Sequence, residues 1–186
     1  MIYNGGILKC ADEKVGVSGA LFIDDAYFLA VGDSLQATHR LLKRNMMKPQ
    51  GVFQWAEDHN CEFGLDKFQL IDFTRKREQD PSRPGKTRLL AGEDLVLQGH
   101  RIKPREVITF LGLKIDRTLR WKEQGNHIVA KGLKWVAQIQ CIAKASKGVS
   151  PKLIRRLYIS VAIPRIFYAA DVCFVTGQSG GVPSGA

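Results

Sequence analysis

Residues 17–31 read VSGALFIDDAYFLAV, two apolar runs with a pair of aspartates between them. The runs are rich in β-branched and aromatic residues, which favours a hairpin of buried strands with Asp24 and Asp25 at its turn. Carboxylates at a rigid turn can bind Mg²⁺ beside a phosphate, because this ion takes one or two carboxylates together with substrate phosphate oxygens. The alternative is that the pair only makes a tight turn, for which Asp is a common residue.

The composition is that of a globular protein with an uneven distribution of charge. Of 186 residues, 45% are hydrophobic and 25% charged, which argues against a disordered chain. Residues 1–74 contain 7 basic and 10 acidic side chains, whereas residues 75–186 contain 21 and 8. This excess of positive charge in the second part predicts a polyanionic partner.

The cysteines and the apolar segments indicate an intracellular protein. Four cysteines lie far apart and form no CxxC pair, so we expect neither a zinc site nor a disulfide-linked partner. A reducing compartment follows, either the nucleus or the cytoplasm. The first 16 residues lack the apolar core of a signal peptide. The apolar stretch 157–175 is interrupted by Pro164, Arg165 and Asp171, and therefore predicts a buried helix and no membrane partner.

Periodicity and turn residues predict an α+β fold. Helices are expected from Leu35 to a break at Pro49, from Val52 to about His59, from Trp121 to about Lys147, and from Pro151 to a kink or end at Pro164. Asp33 or Ser34 would cap the first, and Ser150 the last. We also expect a strand over 67–73 that returns to the first hairpin, a loop over 74–88, and a second hairpin that pairs 100–103 with 107–115.

The order of these motifs resembles the C-terminal half of the reverse transcriptase domain of non-LTR retrotransposons. The matching segments are FIDD at 22–25, WAEDHNCEFGLDKFQLIDFTR at 55–75, ITFLGLKIDRTLRW at 108–121, and two basic helices. The likeness extends over about residues 1–175. It implies a partial polymerase palm sheet with packed helices, followed by a helical thumb.

The resemblance also implies a division of the chain. Residues 1–88 correspond to a partial palm with the FIDD hairpin and a basic loop, and residues 89–120 to a hairpin like the primer grip. Residues 121–175 correspond to the helical thumb. Residues 176–186 are expected to form a flexible tail.

In that family the activity is RNA-directed DNA polymerisation by two Mg²⁺ ions, with an RNA template, a DNA primer and a dNTP as partners. Asp24 matches the catalytic metal ligand, and Asp25 matches its neighbour, a second ligand or a supporting carboxylate. Lys67 matches a lysine that protonates the pyrophosphate leaving group. The alternative for Lys67 is an exposed lysine at the end of a strand.

The resemblance assigns the nucleic-acid contacts to the second half of the chain. Phe110, Leu111 and Gly112 match the turn that holds the primer terminus, where a residue without a side chain lets the nucleic-acid backbone approach closely. A glycine bulge in an ordinary strand is the alternative. Basic residues of the last helices resemble a surface that follows an RNA–DNA hybrid, and a solvated charged face is their alternative. These residues are Lys131, Lys134, Lys144, Lys152, Arg155 and Arg156.

One feature of the family has no counterpart in this sequence. The family has a further catalytic aspartate on a strand upstream of FIDD, whereas Asp12, the only aspartate before the pair, lies in a polar segment. We therefore expect a truncated fragment that is inactive alone, binds Mg²⁺ weakly, and exposes an apolar edge of the first hairpin. Two alternatives stay open: a non-catalytic nucleic-acid-binding module, and an inert retroelement remnant.

Overall fold

The chain folds into helices and small two-stranded sheets, which agrees with the expected α+β class. This computed structural model describes residues 3–143 and 148–173. The chain divides into two compact units, residues 1–108 and 109–186.

The first unit contains three antiparallel hairpins and two helices. Its paired strands are β1 (Val17–Phe22) with β2 (Asp25–Ala30), β3 (Arg77–Gln79) with β4 (Thr87–Leu89), and β5 (Leu95–Leu97) with β6 (His100–Ile102). Its helices are α1 (Leu35–Met47) and α2 (Val52–Asp58), with short 3-10 helices at Tyr3–Cys10, Glu13–Val15 and Leu65–Lys67. Within the residues that the structure describes, none of these hairpins joins another into a larger sheet.

Helices α1 and α2 begin and end where the sequence predicts. The Ser34 hydroxyl accepts a hydrogen bond from the Ala37 amide, which caps α1, and the helix ends before Pro49. Residues from both helices, the N-terminal 3-10 helix and the third hairpin form one apolar core. Its buried members are Ile7, Cys10, Met46, Val52, Phe53, Leu70, Leu95, Leu97 and Ile102.

The β1–β2 hairpin is confirmed, but the prediction that its strands are buried is wrong. Only Val17 is buried along β1, and Phe22 and Leu29 are each more than half exposed. One face of the two-stranded ribbon packs against the N-terminal 3-10 helix. The contact is close at Gly19, where an added Cβ would lie 3.3 Å from Leu8 Cδ2. Within the described residues, no further strand pairs with either edge of the ribbon.

Three further predictions for the first unit are wrong. Residues 67–73 form no strand with the first hairpin, since Leu70 makes a single parallel bridge with Pro104 instead. The polar stretch 74–88 is not a continuous loop, because it contains β3 and the start of β4. Side-chain bonds tie these strands, including Arg77 to the Thr87 carbonyl and Arg88 to Glu78, each 2.7 Å long. Residues 100–103 pair with 95–97 rather than with 107–115.

The second unit is a hairpin followed by helices. The hairpin is β7 (Val107–Phe110) with β8 (Leu113–Asp116), and the boundary between the units falls inside β7. The helices are α3 (Lys122–Ile142), α4 (Pro151–Leu157), α5 (Ile163–Ile166) and α6 (Ala170–Cys173), with a π-helical turn at Tyr158–Ala162.

Pro164 does not end its helical segment. The Ile163 amide donates to the Tyr158 carbonyl, five residues back, so the segment widens into a π-turn just before the proline. The wider turn accommodates a residue that has no N–H to donate and whose ring crowds the preceding turn. The segment continues to Ile166.

The carboxylate of Asp116 organises the connection from β8 to α3. It accepts hydrogen bonds from the amides of Thr118 (2.9 Å), Arg120 (3.2 Å) and Trp121 (2.8 Å) and from the Thr118 hydroxyl. Leu119 and Trp121 in this connection have positive φ angles of 54° and 60°, a costly conformation for side chains of this size. Burial raises the pKa of Asp116, but the hydrogen bonds outweigh burial, so the pKa lies below its ordinary value.

We predict that Asp116→Asn destabilises the second unit by about 1–3 kcal/mol at pH 7, because an amide replaces a carboxylate that four donors share. The pKa of Asp116 is lower in the folded chain than in the unfolded chain. Its contribution is therefore present above the unfolded value of 3.8 and is lost as the pH falls through the folded value. Urea unfolding at pH 7 and at pH 2.5 measures the difference.

The matched control is Asp171→Asn, which removes an exposed carboxylate from the same unit. The organising role of Asp116 is contradicted if Asp116→Asn lowers the free energy of unfolding no more than the control does. It is also contradicted if the difference in stability between Asp116→Asn and the unmodified chain is the same at pH 2.5 as at pH 7.

Candidate functional site

The acidic pair lies at the tip of the β1–β2 ribbon. Asp25 is the first residue of β2 and stands opposite Phe22, so Ile23 and Asp24 alone form the turn. Both aspartates are exposed. Ile23 has a positive φ of 53°, a strained conformation for a β-branched residue, so the tip is held by the pairing of the strands rather than by local preference.

Nothing in the described part of the first unit engages the two carboxylates, since neither makes a side-chain hydrogen bond or an ion pair there. Adjacent negative charges repel each other, and a bound cation would relieve that repulsion. Over residues 3–143 and 148–173, no group of three or more His, Cys, Asp or Glu side chains could hold a metal ion. Two adjacent carboxylates match the number that Mg²⁺ takes from a protein when water or phosphate supplies its other ligands.

Lys67 lies in the same unit, at the end of the 3-10 helix Leu65–Lys67, and is exposed. Among the described residues it makes no ion pair with Asp24 or Asp25. Its proton-donor role stays a prediction.

The FLG segment forms a two-residue turn between β7 and β8. Phe110 ends β7, and Leu111 and Gly112 have φ angles of 47° and 81°, the combination that tight hairpin turns use. The Tyr168 hydroxyl donates to the Leu111 carbonyl at 2.9 Å. A Cβ on Gly112 would lie 3.4 Å from the Tyr168 ring, so the absence of a side chain lets the ring lie against the turn.

The predicted basic residues lie on two helices of the second unit. Lys131 and Lys134 are on α3, and Lys131 is half-buried. Lys152, Arg155 and Arg156 are exposed on α4 at positions i, i+3 and i+4, which share one helix face. Lys144 lies outside the described residues, as does the tail 176–186. The sequence of this unit has 12 lysines and arginines against 3 acidic residues.

The structure also contains a buried pair that the sequence analysis missed. His39 Nε2 lies 2.7 Å from Asp72 Oδ1, and the two residues are only 8% and 5% exposed. Asp72 Oδ2 has no hydrogen-bond partner among the described atoms. His39 lines an open groove between α1 and residues 93–96, with Arg40 and Lys43 on the same helix.

This pair was detectable in the sequence. His39 occupies the apolar stripe of α1, between Leu35 and Leu42, and Asp72 interrupts the apolar run QLIDF. A polar residue on each of two apolar segments is typical of partners that meet in a core, because a buried charge needs a counterpart. The pair ties α1 to a segment that has no regular secondary structure.

All four cysteines are free, and burial raises the pKa of the Cys10 and Cys173 thiols. In the parts of the chain that the structure describes, no helix is both long and apolar enough to cross a membrane.

The chain matches no protein-family model, no curated protein and no solved structure.

We predict that Gly92→Ala strongly destabilises the first unit. An added Cβ would overlap Asp72 Oδ2 and would lie 3.1 Å from His39 Cε1, so the buried pair would have to move apart. Overpacking of this kind costs about 1–3 kcal/mol, and separating a buried pair adds to that cost. Chemical unfolding followed by circular dichroism measures the loss.

The control is Gly32→Ala in the same unit, where the nearest atom would lie at an ordinary 3.4 Å. Equal stability of the two variants would show that the pair is not fixed where the structure has it.

Proposed function

We propose that the chain is the palm-and-thumb part of an RNA-directed DNA polymerase similar to the reverse transcriptases of non-LTR retrotransposons. In this proposal Asp24 and Asp25 hold Mg²⁺, and the second unit holds the hybrid of RNA template and DNA primer. The observation that carries it is the exposed acidic pair at the tip of a two-residue hairpin, with carboxylates that no described residue engages.

The arrangement of the other elements supports the same proposal. A hairpin with carboxylates at its tip, a helix with a Ser cap, a glycine turn and a basic helical unit follow one another along the chain. Each of these alone is common in proteins. Their order along the chain is what resembles the polymerase family.

The acidic pair fits Mg²⁺ as part of a ligand set. This ion retains several waters and binds through one or two carboxylates plus phosphate oxygens, so two exposed carboxylates suffice for weak binding. When bound, Mg²⁺ neutralises charge on the phosphates of an incoming nucleotide. The protein's own part is to hold both carboxylates at a strained, short turn.

A second candidate is a nucleic-acid-binding module without catalysis. It is favoured by two observations: the acidic pair lacks a third ligand among the described residues, and the second unit carries a large excess of basic side chains. Phosphate contacts from such side chains give affinity without sequence preference.

We predict that Mn²⁺, a paramagnetic substitute for Mg²⁺, broadens the amide NMR signals of residues 22–26 in the full chain. Broadening follows from ion binding at the hairpin tip, where two carboxylates lie next to each other. Asp24→Asn and Asp25→Asn should each weaken it strongly, and excess Mg²⁺ should reverse it.

The control is the double variant Glu57→Gln, Asp58→Asn, which removes another exposed adjacent acidic pair from the first unit. It should leave the broadening at residues 22–26 unchanged. If Mn²⁺ broadens residues 57–58 to the same degree as the hairpin tip, any neighbouring carboxylates suffice and the metal site is wrong.

We predict that the chain binds an RNA–DNA hybrid duplex with an affinity that falls steeply with salt. Replacing Lys152, Arg155 and Arg156 by Gln should reduce the slope of log affinity against log salt by about 1 for each phosphate that the variant no longer neutralises. Fluorescence anisotropy at several salt concentrations measures it. Replacing Arg40, Lys43 and Arg44 on α1, with the same spacing and charge, is the control and should leave the slope unchanged.

Mg²⁺ separates the two candidates in the same assay. Under the polymerase proposal, Mg²⁺ changes hybrid binding in the presence of a dNTP, and Asp24→Asn removes the change. Indifference to Mg²⁺ and to Asp24→Asn favours the non-catalytic module.

A further inference from the structure

The groove between α1 and residues 93–96 is a cavity of the first unit that contains part of the buried His39–Asp72 pair. Gln36, His39, Arg40 and Lys43 of α1 line one wall, and residues 93–96 line the other. The four α1 residues are three or four positions apart and therefore share one helix face. The groove has a volume of about 280 Å³, close to the lower limit for small-molecule pockets. This size suits a small molecule and is too small for a nucleic-acid duplex.

Asp72 determines which nitrogen of the His39 ring carries a proton. Its Oδ1 lies 2.7 Å from His39 Nε2, and its Oδ2 has no hydrogen-bond partner among the described residues. An ionised carboxylate only accepts hydrogen bonds, so Nε2 is the donor and the neutral ring has its lone pair on Nδ1. His39 lines the groove, and its Nδ1 makes no hydrogen bond with a described residue. The imidazole therefore offers one hydrogen-bond acceptor to a ligand.

The two carboxylates of the groove already have partners. Glu93 Oε1 accepts a hydrogen bond of 3.2 Å from Gln36 Nε2, which joins the two walls. Asp94 Oδ2 lies 3.6 Å from the Arg101 guanidinium, in an ion pair on the neighbouring hairpin. Their negative charge is therefore partly offset by groups of the protein itself.

The two cations of the groove are less occupied. Arg40 uses only its Nε–H, in a 3.3 Å bond to the Gln36 carbonyl, so four of its five N–H donors have no partner among the described residues. Lys43, one turn further along the same face, makes no ion pair with a described residue. Guanidinium groups bind phosphate through paired donors, and ammonium groups bind it as point charges. The unoccupied donors of this wall therefore favour an anion.

We propose that this groove binds a small phosphate ester that also carries a hydroxyl group. Arg40 and Lys43 bind the phosphate, and the ligand hydroxyl donates a hydrogen bond to His39 Nδ1. Asp72 is the positioning residue, because it holds the ring and leaves the lone pair on Nδ1. The site is independent of the proposed polymerase function, since it uses none of the residues assigned there to Mg²⁺ or to the hybrid.

The first test is a titration of the full chain with glycerol 3-phosphate, followed through the amide NMR signals of residues 36–43 and 93–96. Inorganic phosphate and glycerol each carry half of the ligand's chemistry and serve as references. Glycerol 3-phosphate should bind about threefold to tenfold more tightly than inorganic phosphate, the effect of one added hydrogen bond, and glycerol should not saturate the site. Equal affinity for the two phosphates, or binding of neither, overturns the proposal.

The second test removes single charges from α1. Arg40→Gln and Lys43→Gln should each weaken the binding of both phosphates about tenfold, because each variant loses a hydrogen bond between charged groups. Arg44→Gln is the matched control, since Arg44 is exposed on the same helix and does not line the groove. An equal loss in Arg44→Gln would show that the overall charge of the helix attracts phosphate, and it would refute the site.

His39→Gln tests the hydroxyl contact. The glutamine amide can still donate to Asp72, but the side chain has no acceptor at the position of Nδ1. Affinity for glycerol 3-phosphate should fall to that for inorganic phosphate, whose own affinity should not change. A second measurement needs no variant: in the ¹⁵N spectrum of the unmodified chain, saturating glycerol 3-phosphate should shift His39 Nδ1 and leave the rings of His59 and His100 unchanged. An Nδ1 signal that does not move at saturation overturns the role of His39.

Asp72→Asn tests the positioning role. An asparagine amide can either donate to Nε2 or accept from it, so the proton is no longer confined to Nε2. The ¹⁵N spectrum of His39 should then show a proton shared between both ring nitrogens, and the preference for glycerol 3-phosphate over inorganic phosphate should shrink. Lower stability with an unchanged spectrum and an unchanged preference would show that Asp72 only supports the fold.

Discussion

A single carboxylate, that of Asp116, determines where the long helix of the second unit begins. Three amides and one hydroxyl converge on it, and together they hold two large side chains in left-handed backbone conformations. Backbone strain in this loop raises the free energy of the folded state, and hydrogen bonds to a charged acceptor offset that increase. The orientation of α3, and therefore the location of Lys131 over the Tyr168 ring, depends on this connection.

The two units use charged side chains in opposite ways. In the first unit the buried carboxylate of Asp72 has a histidine partner, whereas the carboxylates of Asp24 and Asp25 are left to solvent. In the second unit Asp116 is fully occupied by donors, and the lysines and arginines of α3 and α4 make no ion pair with a described carboxylate. Within the described residues, the hairpin tip and the basic helices α3 and α4 are thus places where charge is left unbalanced. A ligand of the opposite sign gains most at such places, because no internal ion pair has to be broken first.

Local signals in the sequence predicted the parts of the fold that depend on local energetics. Ser34 and Pro49 mark the ends of α1, and the two-residue turn of Ile23 and Asp24 lies where the apolar runs predict it. The burial of the first hairpin was not predictable from its composition, since an apolar strand looks the same whether or not a neighbour covers it. The pairing of 100–103 with 95–97 had a local signal that the sequence analysis did not use, because Gln98 and Gly99 form a two-residue turn with φ angles of 47° and 80°. Asp24 and Asp25 were readable as a motif, but the hydrogen bond between Tyr168 and Leu111 was not, because these residues are 57 positions apart.

The shortness of the β1–β2 connection limits how the gene can change. Because Phe22 pairs directly with Asp25, deletion or insertion of one codon within either strand would shift the register and send alternate side chains to the opposite face. The acidic residues would then move away from the tip while the composition stayed almost the same. Substitutions along the ribbon are tolerated far better than changes in its length, so variation among descendants of this gene should accumulate as replacements here and as insertions in the longer connections.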